Sequence, residues 1–244
     1  MTADGWTKAV RRQLGPGRVL PLGGPRDGAW ITERAAESVL RRAAAGLRGL
    51  GLGTLRISVA DPDGQEAAVP PPPSALPSGP LRVTADFAAL ADLAAEPFPA
   101  SAARLRGVLA TAAETVLGLR VAEVDLRLTR LLEGDERAVS AAPGGPAAAP
   151  PDPPVPTGDV EQTRAAAAGL SVPGVSALAT VLGAAGTTAP VLPRRHVLVH
   201  LTVTQERRTL DVAREVRAAV GASLPDHPSV AVLVTAVTSG AALV

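Results

Sequence analysis

This chain has no cysteine and no tyrosine, a single lysine, Lys8, and no aromatics beyond Trp6, Trp30, Phe87 and Phe98. Without cysteine there is no disulfide, no thiolate metal site and no cysteine nucleophile, and the redox compartment is left open. With so few aromatics, the 46% of residues that are hydrophobic, mostly Ala, Leu and Val, must build small-residue cores. The abundance of Ala, Gly, Pro and Arg is what a GC-rich genome imposes, so composition itself carries little weight. An excess of one charge is also missing, since 24 basic and 23 acidic groups leave a formal net charge of +1. That is too little for a global field to gather nucleic acid or anionic lipid, and any such binding must be a local patch. No run approaches the roughly 20 apolar residues that cross a bilayer, and the N-terminus lacks the apolar core of a signal peptide. The expected location is the cytoplasm, with any membrane association peripheral at its inner face or through a partner.

What is present is a pattern that occurs twice. Residues 209–237, TLDVAREVRAAVGASLPDHPSVAVLVTAV, predict an amphipathic helix capped by Thr209, a turn and a buried strand. Residues 101–131, SAARLRGVLATAAETVLGLRVAEVDLRLTRL, repeat the plan. Val212, Val216, Val220 and Leu224 match Leu105, Leu109, Ala113 and Leu117, each set recurring every four residues along one helical face. In the strands, Val230, Val232, Val234 and Thr235 match Val124, Leu126, Leu128 and Thr129.

From the start, Trp6, Val10 and Leu14 with Lys8, Arg11 and Arg12 suit a short basic helix over residues 5–14, either a docking helix or an arm packed on its own domain. RVLPL at 18–22 and AWI at 29–31 read as strands around an Asp27-Gly28 turn, and Pro21 keeps the first at a sheet edge. Thr32 stands where an N-cap belongs, ahead of Glu33 and an apolar stripe through Ala35, Ala36, Val39, Leu40, Ala43 and Leu47, and glycines from Gly46 to Gly49 end the helix. Leu52, Leu55, Ile57 and Val59 predict a strand closed by a turn at 61–64. Residues 69–80, VPPPPSALPSGP, must be a stiff extended loop, and Leu81, Val83, Ala85 and Phe87 alternate as a half-buried strand, with a helical turn or two expected at 88–95. After residues 133–158, too rich in Pro, Ala and Gly to fold, the first helix-to-strand passage is replayed, pairing Gly46 with Gly169 and Gly51 with Gly174. A loop at 183–195 and an alternating strand at 196–203 lead to the final helix.

The expectation is therefore an α+β protein: two similar two-layer α/β sandwich modules, each helix-strand-strand-helix-strand, joined by a Pro/Ala-rich linker. The divisions are a basic arm and edge strand at 1–28, a first module at 29–132, the linker at 133–158 and a second module at 159–240.

WITERAAESVLRRAAAGL at 30–47, Gly51-Leu52 opening a strand, SVPGVSAL at 171–178, Leu210-Asp211-Val212 and VAVLVTAV at 230–237 together resemble the alkaline shock protein family of small bacterial proteins. The second module departs from it in lacking the isoleucine strand and in carrying Gln205-Glu206-Arg207-Arg208 where a tyrosine-glycine corner is usual. The resemblance implies a non-enzymatic, self-associating cytoplasmic protein linked to envelope stress, meeting itself, paralogous members or a small membrane anchor. It implies no catalytic, cofactor-binding or metal-binding residue.

Chemical motifs are each outweighed by a plainer reading. His196 and His200, four apart on a strand, lie about 13 Å apart at roughly 3.3 Å per residue, too far to share a metal ion, and are expected to face solvent or an interface. His227 reads as a loop residue. Ser176, in Gly174-Val175-Ser176-Ala177, is not a nucleophile elbow. Gly49, Gly51 and Gly53 would need a further glycine where Arg56 stands to bind a dinucleotide. Gly46-Leu47-Arg48-Gly49 has the G-x-x-G form of a KH loop, but a strand follows it rather than a helix. Asp61, Asp63 and Glu66 suit a surface turn, and Glu123, Asp125 and Arg127 the solvated face of a strand. The leading expectation is a non-catalytic scaffold using strand edges or the Arg104/Arg106 and Arg214/Arg217 helix faces. The alternatives are a nucleic-acid adaptor using Arg48, Arg56 and the basic arm, and an enzyme with its site between the modules.

Overall fold

A computed structural model describes residues 17–61, 65–91, 97–132, 160–184, 195–225 and 227–239. The basic helix at 5–14, the linker at 133–158, and most of the turn at 61–64 and the loop at 183–195 lie outside the described residues.

Strands β1 (Val19–Leu22) and β2 (Ala29–Thr32) form an antiparallel hairpin whose turn uses Gly28 at φ +59°. The Thr32 hydroxyl accepts the Ala35 N–H at 3.3 Å and starts α1 (Glu33–Ala45), which buries Ala35, Ala36, Val39, Leu40 and Ala44. β3 (Leu50–Val59) pairs antiparallel with β4 (Leu81–Leu90), and α2 (Phe98–Thr111) returns the chain to β5 (Val121–Leu132), parallel to β4. From residue 160 come α3 (Val160–Leu170), β6 (Val175–Ala184), β7 (His196–Thr204) antiparallel to it, α4 (Thr209–Ser223), and β8 (Ser229–Thr238) parallel to β7. Both halves thus run helix, strand, strand, helix, strand, pairing first antiparallel and then parallel.

The sheets are unequal. One is three-stranded, in the order β3-β4-β5, and the other five-stranded, β1-β2-β8-β7-β6. β2 leaves the half it precedes in sequence and pairs parallel with β8, Ala29 beside Val232 and Ile31 beside Val234. A single core collects Leu40, Ile57, Phe87, Leu105 and Leu117 with Ile31, Val199, Val216 and Val232, so the two halves share their interior. All eight residues matched at four-residue spacing in the two long helical stretches are buried.

An apolar residue every fourth position drifts about 40° per step on an α-helix. In the first half this drift coincides with a widened π-helical turn over Ala112–Leu117, which keeps Leu117 in the core and ends at Gly118 in the left-handed conformation.

Several expectations are corrected. Of the helical turns expected at 88–95, residues 88–90 continue β4 instead, because Ala88, Ala89 and Leu90 pair with Arg130, Leu131 and Leu132, and residues 92–95 lie outside the described residues. Thr209 is not a cap: it lies inside the first turn of α4, wholly buried, and the N-cap is Arg208, with no side-chain cap bond. The left-handed glycine that opens the first strand of each half is Gly49 before β3 and Gly174 before β6, two residues from the Gly51/Gly174 register. Thr129 and Thr235, matched in sequence, are each the residue skipped where the ladder shifts register. Each hydroxyl donates across to the neighbouring strand, Thr129 to the Phe87 carbonyl at 3.4 Å and Thr235 to that of Leu201 at 3.2 Å.

Candidate interaction surfaces

The histidines of β7, expected to face solvent or an interface, are turned away from solvent. His196 is 7% exposed, its Nδ1 2.8 Å from the Ser229 hydroxyl, and the Nε2 of half-buried His200 has no hydrogen-bond partner among the described residues. Both side chains alternate with Val197, Val199 and Leu201, which face the main core. They therefore share a face with Leu198, which packs against a second apolar cluster around Trp30 and Leu233. Burial pushes both imidazoles below the ordinary value of 6.5, partly offset at His196 by a hydrogen bond to the Ser229 backbone. The unfolded chain then takes up protons at higher pH than the folded one, so stability falls as pH drops below about 6.5 and levels off beneath the depressed folded values. Urea midpoints at pH 7.5 and pH 5 should show this loss, and His200→Leu should remove part of it; an unchanged slope in the variant would contradict the assignment.

A second polar cluster ties the hairpin turn to α4. Arg214 donates to both oxygens of Asp27, at 2.9 and 3.1 Å, and the Gly24 N–H adds a bond of 2.7 Å. Arg217 donates to the carbonyls of Val230, Arg26 and Asp27. Burial alone would raise the Asp27 carboxyl, but the bonds from Arg214 and Gly24 and the two arginine charges outweigh it and hold it below its ordinary value. A carboxylate so depressed contributes stability above its ordinary value near 3.8, and that contribution is lost as pH falls through the folded value. Asp27→Asn is expected to destabilise by about 1–2 kcal/mol near neutral pH, the partial exposure of Arg214 keeping the effect modest. The variant should also lose less stability than the wild type on acidification, which thermal unfolding at pH 7 and pH 3 checks. His227, in the turn before β8 at φ +43°, borders a shallow recess beside these two arginines.

The helix arginines are thus engaged within the chain. Besides Arg214 and Arg217, Arg104 donates to the Arg48 carbonyl at 3.5 Å and Arg106 to that of Val124 at 3.0 Å. Arg48 and Arg56 are exposed, on the α1–β3 connection and on β3, and Ser176 is exposed on β6. Gly46 caps α1, and a Cβ on Gly53 would lie 3.2 Å from the Asp86 carbonyl oxygen, a packing role rather than a phosphate loop. Asp61 and Glu66 are exposed, while Asp63 lies outside the described residues. Among the described residues no three His, Asp or Glu side chains are grouped to hold a metal ion, and no helix is long and apolar enough to cross a membrane.

β5 is the most open element. From Arg127 to Leu131 every residue is exposed, including Leu128 at 37% and Leu131 at 50%, and its far edge pairs with no strand among the described residues. Glu123 and Asp125 approach Arg82 at 2.6 and 3.6 Å on the face away from the helices. Sequence reasoning read this row as a solvated face and passed over its edge; the available signal was the leucines among the charges. Comparison with protein-family models, with curated proteins and with solved structures found no match to this chain.

Proposed function

We propose that this chain is a non-catalytic interaction protein of the alkaline-shock type, built by internal duplication and joined by the 133–158 linker. It acts in the cytoplasm or at the inner face of the membrane, with itself, paralogues or a small anchor protein as partners. The observation that carries this reading is the unequal treatment of equivalent edges: β8 is covered by β2, whereas β5 pairs with no strand on its outer edge among the described residues and presents Leu128 and Leu131. A strand edge offers unpaired backbone groups to another chain, and a protein whose work is association leaves one open. The duplication is supported by the repeated order of elements, by the two bulge threonines with matching hydroxyl bonds, and by the left-handed glycines before β3 and β6.

The test is membrane and soluble fractionation of the tagged full chain with crosslinking, a high-salt wash and nuclease treatment. Partners that resist nuclease and include its own copies, a paralogue or a small membrane protein support the scaffold. Partners that vanish with nuclease would replace it with the nucleic-acid adaptor built on Arg48, Arg56 and the basic arm.

A further inference from the structure

β8 shows how this fold closes an edge: the strand leading into α1 lies along it in parallel. The corresponding segment before α3, residues 150–158, reads PPDPPVPTG, and its five prolines carry no N–H to donate to a ladder. By sequence, that segment has few N–H groups to offer a ladder along β5.

The direction of the β5 backbone groups follows from the ladder with β4. Arg120 and Leu132 turn their carbonyls to Leu81 and Ala91 across that ladder, and the register shifts between Val121 and Glu123 and between Leu128 and Arg130. Strict alternation between these points sends the N–H and C=O groups of Val121, Val124, Leu126, Leu128 and Leu131 to the open edge. The Val124 carbonyl, taken up there by Arg106, agrees with this.

We propose that β5 of one copy pairs antiparallel with β5 of a second copy about a twofold axis through Leu126, merging the two small sheets into one. This rests on the interaction-protein reading and names its partner. In that register Leu126 meets its own counterpart, Val124 meets Leu128, and Val121 meets Leu131. All of these are edge-directed pairs able to exchange backbone hydrogen bonds, the Val124 carbonyl using its second lone pair beside the one that accepts from Arg106, and together they cover the two exposed leucines of the strand. Between them, Asp125 of each copy faces Arg127 of the other in the closer, non-hydrogen-bonded pairs. Sliding by two residues in either direction sets Asp125 against Asp125 or Arg127 against Arg127, so the charges select one register.

Sedimentation of the full chain should show a concentration-dependent dimer. Asp125→Arg and Arg127→Asp each place like charges opposite one another and should weaken self-association by about tenfold or more. Mixed together, the two variants should recover the dimer, because each then faces its opposite. That recovery also shows that neither had merely failed to fold. Leu126→Cys gives this cysteine-free chain one thiol on the axis, where the roughly 5.5 Å between paired Cα atoms suits a disulfide, so oxidation should link two copies. Ser58→Cys on the β3 edge should link far less. A wild type that stays monomeric, variants that dimerise like wild type, or a mixture that recovers nothing would overturn the pairing. Fractionation and crosslinking read the broader scaffold independently, so a nuclease-resistant anchor or paralogue would leave that reading standing while this one falls.

Discussion

Gly118→Ala should destabilise the fold by about 2–4 kcal/mol, whereas Gly107→Ala, eleven positions earlier, should stabilise it by up to about 1 kcal/mol. Gly118 sits at φ +87° at the end of the π-helical turn, and its N–H closes that turn on the Ala113 carbonyl at 2.9 Å. A Cβ there would lie 2.5 Å from the Cβ of Leu210 and 3.2 Å from the Nε of Arg208. Leu210 is 3% exposed in the first turn of α4, and a Cβ cannot rotate away from its own backbone. Relief therefore requires the start of α4 to move off the turn, against the Arg208 bond to the Glu114 carbonyl at 3.0 Å. Left-handed strain adds roughly 1–2 kcal/mol to that overpacking. Gly107 has nothing within 4 Å of its would-be Cβ, so alanine there gains helix propensity alone. Urea midpoints of the pair decide the matter, and equal midpoints would mean that the two halves do not bear on each other at Gly118.

Local chemistry made much of the fold legible. Alternation in β4 and β7, the Thr32 cap, the Asp27-Gly28 turn and the buried four-residue rows are written in adjacent residues, and period and turn chemistry suffice to read them. Partner choice between distant strands is not written locally. Ala29–Thr32 is buried on both faces, so nothing in those four residues says whether they join β4 or β8; the shared core decides it. Thr209 looks like a cap because threonine favours that place, but the interior takes it and leaves Arg208 to begin the helix. The histidines misled for a similar reason, since an alternating strand has a polar face only if nothing covers it, and the Trp30 cluster extends over this one. At β5 the charges and leucines were visible, but which backbone groups point outward depends on two register shifts that composition cannot place.

Trp30→Ala should remove about 3–5 kcal/mol, a large share of the stability of an ordinary domain. Trp30 is 2% exposed and turns away from the main core, while its neighbour Ile31 faces into it. Around it pack Val19, Leu233 and Ala231 from the sheet, and Val69, Ala67 and Ala75 from the proline-rich stretch. That stretch is thus a cover laid over the outer face of the larger sheet, with its apolar anchor at Trp30. Its backbone follows the hairpin by bonds from Ala68 to Pro25 at 2.9 Å, Leu76 to Val19 at 2.8 Å and Val19 to Ser74 at 3.2 Å, which also occupy the free edge of β1. Truncating the indole leaves a cavity bordered on one side by a segment with little regular structure of its own, so the loss should appear there first. Amide exchange at Ala68 and Leu76 should accelerate before that of β7, and limited proteolysis should cut within 65–78. Trp30→Phe should retain much of the stability. A uniform loss of protection across both sheets would show instead that the stretch and the sheet unfold as one unit. Early opening at the stretch would loosen the hairpin that shields β8, giving the variant a further exposed strand edge and a greater tendency to aggregate than any β5 substitution produces.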